Sequence, residues 1–329
     1  FMLKRGVSIV TQGCVVLYAC VVVALVLLRA LPLEYKVIHI FFVFLLYVFL
    51  PLLLLVPLAL MWRSLVVRLA VGLVVALFLF VFGWRFLPPQ HRADTTNLRV
   101  VSFNQLYGNR DFDGLASLLR ELDADVVAIQ EFSEPFEEQA FEQLSDVYPY
   151  QSGFASEHRL GVLSKFPLEQ VEIVEGEFAQ QMFVVVGEQR FTLFNVHLDS
   201  PILKRICEDG SCRFVFDSVQ RNHEYPQLLA LLQSVDGPFL ALGDFNTNDS
   251  EPWYERLQAE FVDVFAEANW GFGFTFPNDA SSRWGWLPFP LIRLDYVWGS
   301  QDVVPVNAQI DCSLRRSDHC MMIADVLVP

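Results

Sequence analysis

Three apolar stretches open the chain, at about 7–28, 37–60 and 65–86. As helices each would extend about 33 Å, enough to cross a hydrocarbon core of about 30 Å. Pro51 and Pro57 interrupt the second, which a membrane helix tolerates where neighbours satisfy the freed carbonyls. One such run behind Lys4-Arg5 would pass for a cleaved signal peptide, but three in succession predict three transmembrane helices over 1–87. A polar linker, 88–97, follows, and the pattern then changes to short apolar or alternating segments. These predict strands over 98–103, 125–129, 160–163, 182–186, 191–196, 239–242, 294–298, 303–309 and 321–328. Leu115, Leu118, Leu119 and Leu122 recur at helical spacing and predict a helix over 112–122. A second is expected over about 214–232, with Pro226 kinking it or delaying its start. Local and crossover connections with few helices predict a layered α/β domain over 98–329 rather than a doubly wound parallel sheet.

Charge divides the chain at the same place. Of the 23 Lys and Arg, eight lie in residues 1–93, where Glu34 is the one acid, leaving 15 basic against 37 acidic residues, or −22, in the remainder. An apolar head on an acidic body excludes an all-soluble enzyme and disfavours a dedicated duplex-DNA binder, which needs clustered positive charge. Lys4, Arg5, Arg63 and Arg68 fall to one side of the three spans and Arg29, Lys36, Arg85 and Arg92 to the other, so basic residues leave the orientation open. Four cysteines lie in the body. Cys207 and Cys212 bound a short polar loop, and Cys312 and Cys320 complete an even number; disulfides and reduced thiols both remain open, with the balance towards a body outside the cytoplasm. Neither pair has the spacing of a zinc site. No protein partner or oligomeric state is legible.

Candidate chemistry sits at the ends of the apolar segments. Asn104 follows Val-Val-Ser-Phe, Glu131 follows Val-Val-Ala-Ile-Gln, and His197 follows Phe-Thr-Leu-Phe-Asn-Val. Asp244 and Asn246 follow Phe-Leu-Ala-Leu-Gly, Asp295 lies in Arg-Leu-Asp-Tyr-Val, and Asp318-His319 precedes the last strand. Any one of these alone reads as a turn former, a cap or a structural histidine. As a set at buried strand ends they need partners or a metal. Acids, amides and two histidines, without a thiol or serine nucleophile, suit Mg²⁺ or Mn²⁺ and a bound phosphate.

The ordered segments SFNQ (102–105), IQE (129–131), LGVLSKFPL (160–168), NVHLDS (195–200), LGDFN (242–246), RLDYV (293–297) and SDH (317–319) resemble the endonuclease/exonuclease/phosphatase superfamily over 98–328. With three spans ahead of it, the chain is similar to a bacterial membrane-anchored branch whose catalytic domain is extracytoplasmic. The resemblance implies a four-layer α/β/β/α sandwich, DNase I-like, preceded by the three-helix transmembrane segment. It implies Glu131 as a metal ligand, with Asn104 holding a neighbouring ligand or the phosphate and Asp318 serving the metal or its waters. Asp244 would orient and deprotonate the attacking water, helped by Asn246. His319, oriented by Asp295, would donate to a phosphate oxygen, and His197 would contact the phosphate or assist the leaving group. Repair-type members carry Tyr where this chain has His197, which favours the DNase-like and phosphatase-like branches.

An insertion before Asp295 carries Ser-Arg-Trp-Gly-Trp-Leu-Pro-Phe-Pro-Leu-Ile (282–292). It is either a buried loop closing the sandwich or a lip of Trp284 and Trp286, extended by Trp270, Phe272 and Phe274, that enters a bilayer surface. The expectation is an integral protein of a bacterial inner or plasma membrane. It would be a Mg²⁺-dependent phosphatase or phosphodiesterase acting on a lipid-linked phosphate or pyrophosphate of the envelope, with the lipid bilayer as its partner. The alternative is a membrane-tethered, DNase I-like nuclease, for which Arg205, Arg213 and Arg221 would form a basic strip if they do not solvate a helix face. A non-catalytic scaffold is disfavoured by the intact set of site residues.

Overall fold

A computed structural model of the chain describes residues 2–29, 39–89, 93, 95–208, 211–278, 289–313 and 316–329. It divides into two compact units, one of Phe1–Leu87, Lys204–Phe216 and Ser250–Pro252, the other of Pro88–Leu203, Asp217–Asp249 and Trp253–Pro329.

In the first unit, two helices are long and apolar enough to cross a membrane, Ile9–Arg29 and Leu65–Phe86. Val15, Ala59, Val67 and Val71 are buried together. The middle apolar run departs from the continuous span expected over 37–60. From His39 onward it forms three short helices, His39–Val43, Leu45–Val48 and Leu52–Met61. Pro51 explains the break: it has no N–H, and its ring excludes the carbonyl four residues back. The chain there turns through three-residue bonds, Leu52 N to Phe49 O at 2.9 Å and Leu53 N to Leu50 O at 3.0 Å. Beyond the break, Arg68 Nε donates to Ala59 O and Trp62 O, each at 3.1 Å. Carbonyls at a helix end have no N–H partner within the helix, and the Arg68 guanidinium supplies one.

The strands, in chain order, are β1 (Leu98–Asn104), β2 (Val126–Gln130), β3 (Tyr150–Phe154), β4 (Leu160–Ser164), β5 (Leu168–Ile173), β6 (Ala179–Val186), β7 (Gln189–His197), β8 (Ile202–Glu208), β9 (Ser211–Asp217), β10 (Phe239–Asp244), β11 (Val262–Asp263), β12 (Asp295–Gly299), β13 (Val304–Asp311) and β14 (Met321–Leu327). Six form one sheet in the order β13-β14-β1-β2-β4-β3, and six a second in the order β11-β12-β10-β7-β6-β5. The expected helix over 214–232 begins later. β8 and β9 form a separate two-stranded sheet, and the helix runs Val219–Gln233 with Pro226 inside it. The Asp217 carboxylate accepts from Val219 N at 3.2 Å, turning the chain from strand to helix.

The period of two along each strand builds the layers. Val100 of β1, Val126 and Ala128 of β2, Leu193 of β7 and Leu240 and Leu242 of β10 fill the core between the two sheets. The alternate residues Val101 and Phe103 face outward and pack with Leu115 and Leu119 of the helix Phe112–Leu122 and Phe136 of the helix Glu134–Leu144. On the other outer face, Phe194 and Ala241 meet Leu228 and Leu232 of Val219–Gln233 and Tyr254 of Pro252–Gln258. The result is the four-layer α/β/β/α sandwich. One polar pair interrupts the inter-sheet core: Gln130 Nε2 donates to Asn195 Oδ1 at 2.7 Å, and Asn195 Nδ2 donates to Ile129 O and Gly161 O, each at 3.0 Å.

Candidate active site

Strand register gathers the polar strand ends at one rim of the sandwich. In the second sheet β7 and β10 run parallel with His197 opposite Asp244, while β12 runs antiparallel to β10 with Asp295 opposite the same Asp244. Three residues from distant parts of the sequence thus lie side by side. In the first sheet β1 and β2 are parallel and end together, Asn104 opposite Gln130, with Glu131 next in the chain. β14 runs antiparallel to β1, so the segment before it delivers Asp318 and His319 to that edge.

Asn104 joins the two sheets. Its Nδ2 donates to Glu131 Oε1 at 3.3 Å and to Asp244 Oδ2 at 3.1 Å, while its Oδ1 accepts from Leu106 N at 3.1 Å. Glu131 occupies the left-handed region at φ 53°, a conformation that non-glycine side chains seldom adopt and that neighbours must hold in place. Here Gln105 Nε2 donates to its carbonyl at 2.6 Å and Tyr107 N to its Oε2 at 2.8 Å. Asn246 is similarly left-handed, at φ 48°. Its backbone N donates to Asp244 Oδ1 at 2.9 Å, and its Nδ2 to Asp244 Oδ2 at 3.2 Å and Leu198 O at 2.8 Å.

Asp295, His319 and Asp244 form a buried chain. His319 Nδ1 lies 2.8 Å from Asp295 Oδ2, and its Nε2 lies 3.7 Å from Asp244 Oδ2. His197 Nε2, half-buried, approaches the same oxygen at 3.9 Å. Burial alone would lower the His319 imidazole, but Asp295 and then Asp244 outweigh it and hold it up at about 10. Burial raises the Asp244 carboxyl to about 6, against the pull of His319. At neutral pH the pair is therefore an imidazolium beside a carboxylate whose basicity matches the medium.

The fit to a divalent cation is a question of charge as well as distance. Ligand atoms of Asp244, Asp295 and His319 lie within 4.8 Å of one another, but His319 Nδ1 is engaged by Asp295 and the imidazolium already offsets their charge. Glu131 and Asp318 differ. Half-buried Asp318 is pushed up by burial, pulled back by His319 and raised again by Glu131. Two hard-oxygen carboxylates repelling each other at a strand-end rim fit Mg²⁺ or Mn²⁺.

The structure brings Asn104, Glu131, His197, Asp244, Asn246, Asp295, Asp318 and His319 to this rim. Trp284 and Trp286 lie outside the described residues, as do the side chains of Arg205, Arg213, Cys207 and Cys212. Arg221 is neither a surface strip nor a solvated helix face: it is fully buried, and its Nη1 donates to Asn246 O. Several supporting groups escaped the sequence reading. Ser317 Oγ accepts from His319 N at 3.0 Å and donates to Asn104 O at 2.6 Å, fastening the last loop to the first strand. Thr275 Oγ1 accepts from Leu294 N and Asp295 N at 3.1 and 3.3 Å. The Phe276 ring lies 5.0 Å from that of His319. The SDH motif marked Ser317, but no sequence signal pairs Thr275 with Asp295. Cys312 and Cys320 form a disulfide that closes the loop carrying Asp318 and His319.

The model of the Endonuclease/Exonuclease/phosphatase family matches residues 101–319. Among solved structures, the chain is similar to an endonuclease/exonuclease/phosphatase from Beutenbergia cavernae DSM 12333, with TM-score 0.53 and 20% identity over 71% of this chain and 72% of the other. For one from Bacteroides vulgatus the TM-score is 0.54 at 17% identity, covering 71% of this chain and all (100%) of the other. D. rerio TDP2, complexed with a single-strand DNA product, gives 0.54 at 20% identity over 70% and 98%. At such identities the likeness is one of fold. No curated protein matches the chain.

Proposed function

The chain belongs to the endonuclease/exonuclease/phosphatase family, whose chemistry is divalent-metal-dependent hydrolysis of phosphoric esters, and we propose that it acts on a lipid-linked phosphate or pyrophosphate of the cell envelope. The buried chain from Asp295 through His319 to Asp244, set beside Asn104 and Glu131, carries the catalytic part of the proposal.

Asp244 takes the proton of the attacking water. Donations from Asn246 and Asn104 fix its carboxylate, and burial sets its basicity. His319, fixed by Asp295, presents its protonated Nε2 to a non-bridging phosphate oxygen as negative charge develops there. Half-buried His197 stands beside Asp244 and contacts the phosphate or the leaving group. Glu131 and Asp318 would hold Mg²⁺ or Mn²⁺, which supplies Lewis-acid stabilisation of the phosphate oxygens.

Three observations support the lipid and the compartment. Two helices have the length and apolarity of membrane spans, and the broken segment Leu45–Met61 adds a third apolar element to the anchor. Confinement at a bilayer raises the effective concentration of a membrane substrate. The Cys312–Cys320 disulfide favours an oxidising, extracytoplasmic setting for the body. On the two sides of the Trp284–Trp286 segment, Trp270 and Phe289 are 63% and 60% exposed, as a bilayer-touching lip requires.

The test is hydrolysis by the detergent-solubilised protein with Mg²⁺ or Mn²⁺, comparing a polyprenyl pyrophosphate, a phospholipid or sphingolipid, and plasmid DNA, with Asp244→Ala as the blank. Lipid turnover that disappears in the variant is expected. Nicked DNA with inert lipids would replace this proposal with a tethered nuclease.

A further inference from the structure

The rim holds a cation that the catalytic scheme leaves unused. In the first sheet the order β14-β1-β2-β4 brings four segments to one edge: 316–320 before β14, 105–110 after β1, 131–133 after β2, and 155–159 before β4. Glu131 sits in the middle of that edge. Tyr107 and Arg159 lie on either side of it and are tied to it through the backbone. Tyr107 N donates to Glu131 Oε2 at 2.8 Å, and Arg159 O accepts from Phe132 N at 2.8 Å. Above these ties, the Arg159 guanidinium stacks on the Tyr107 ring, 4.3 Å from its centroid. Both side chains are exposed, and Tyr107 is 45% accessible although it is a large ring.

Elsewhere in this unit Arg99 pairs with Asp325, Arg120 with Asp146, Lys165 with Asp123 and Arg293 with Asp263, while Arg190 and Arg256 stack on the rings of Phe183 and Trp253. Arg159 has its aromatic shelf and, among the described residues, no carboxylate within ion-pair distance, in a body with a balance of −22. Its backbone is left-handed at φ 57°, as are Glu131 at 53° and Leu106 at 64°. Three such non-glycine residues along one edge indicate a segment held in a set conformation by its neighbours. A guanidinium immobilised on a ring loses less freedom on binding and keeps its planar donors for a phosphate. On the opposite side of the site, Arg316 is 71% exposed and holds Asp111 only loosely, at 3.7 Å.

We infer that Arg159, shelved on Tyr107, is a subsite for a second anionic phosphate of the substrate, so that the site prefers a diphosphate to a lone phosphoric ester. The inference rests on the phosphoric-ester site proposed above. Within that frame it selects pyrophosphate from among the substrates considered, because a phosphodiester has a single phosphate and, once that is held at the catalytic centre, offers no second anionic phosphate to Arg159.

The experiment measures binding of inorganic pyrophosphate and of orthophosphate to the full-length protein in detergent with Mg²⁺, by calorimetry, in wild type, Arg159→Gln and Arg159→Lys. Arg159→Gln is expected to weaken pyrophosphate at least tenfold more than orthophosphate, with Arg159→Lys in between, since it keeps charge but loses the planar fork. Equal weakening of both anions, or no change in either, would overturn the inference. Turnover separates it from the broader proposal. A wild-type protein that hydrolyses no phosphoric ester, yet binds pyrophosphate through Arg159, would sink the proposed activity and leave the subsite standing.

Discussion

Asp244 and His319 are both buried, and burial acts on them in opposite ways: it raises the carboxyl, while the imidazole rises only because two carboxylates surround it. The rate is expected to fall as pH drops through about 6, where Asp244 takes up its proton, and to fall again as pH rises towards about 10, where His319 loses its own. Asp295→Asn removes the largest raising influence on His319 and should bring the alkaline limb down; a kcat/KM profile reads both limbs. The same proton couples to folding. With its folded value raised, His319 contributes stability that is fully present below its ordinary value, near 6.5, and is lost as pH rises through about 10. Replacing the base, Asp244→Ala, should cost about 10²–10⁴ in kcat with the fold retained by circular dichroism. The strand-end pattern made these two residues visible in the sequence. It did not show Thr275, because a hydroxyl that aligns the backbone N–H groups of Leu294 and Asp295 across 19 and 20 residues of chain leaves no local periodicity.

At the scale of the element, the site depends on two neighbouring strand ends staying in register. Gly243, between Leu242 and Asp244, has φ 157°, and a Cβ there would run into the Val196 carbonyl of β7. Gly243→Ala should therefore push β10 from β7 and separate Asp244 from His197. Overpacking of this kind costs roughly 1–3 kcal/mol, to be read from urea denaturation, with a loss of activity larger than that of stability. The Cys312–Cys320 link acts on the other side of the rim. It spans eight residues and encloses both Asp318 and His319. By chain entropy a loop of that size stabilises by about 2–3 kcal/mol. Cys312→Ser with Cys320→Ala should lower the melting temperature and weaken activation by Mg²⁺, since the loop that presents Asp318 is then less restrained. Retention of wild-type Mg²⁺ dependence would show that Ser317 and its two hydrogen bonds suffice to hold it.

At the scale of the whole molecule, an apolar head and an acidic body with a phosphoric-ester site are parts of one chain, and the predictions concern how each affects the substrate. Trp284→Ala with Trp286→Ala should reduce turnover of a vesicle-borne substrate far more than that of a soluble phosphodiester. Equal losses on both would assign the segment to sandwich closure. Chelation by EDTA should abolish turnover of both substrates, with Mn²⁺ or Mg²⁺ restoring it, because the Glu131–Asp318 pair otherwise faces its own repulsion.

Sequence alone determined the boundary between apolar head and acidic body, most strands of the sandwich, and the polar strand-end residues that gather at one rim, because hydrophobic period and the placement of polar groups at strand ends are properties of neighbouring residues. It did not determine the middle apolar segment. Length and composition predicted a span over 37–60, whereas the missing N–H and the ring of Pro51 divide it once backbone bonds must close. Nor did it place Arg221, which a linear reading left as a surface charge and which packing buries against Asn246. Above all, tertiary structure decided which strand ends meet. The parallel pairing of β7 with β10 and the antiparallel pairing of β12 bring His197, Asp244 and Asp295 together from nearly a hundred residues of chain. Non-local register of that kind follows from packing two sheets face to face, where a one-residue slip would turn the buried side outward.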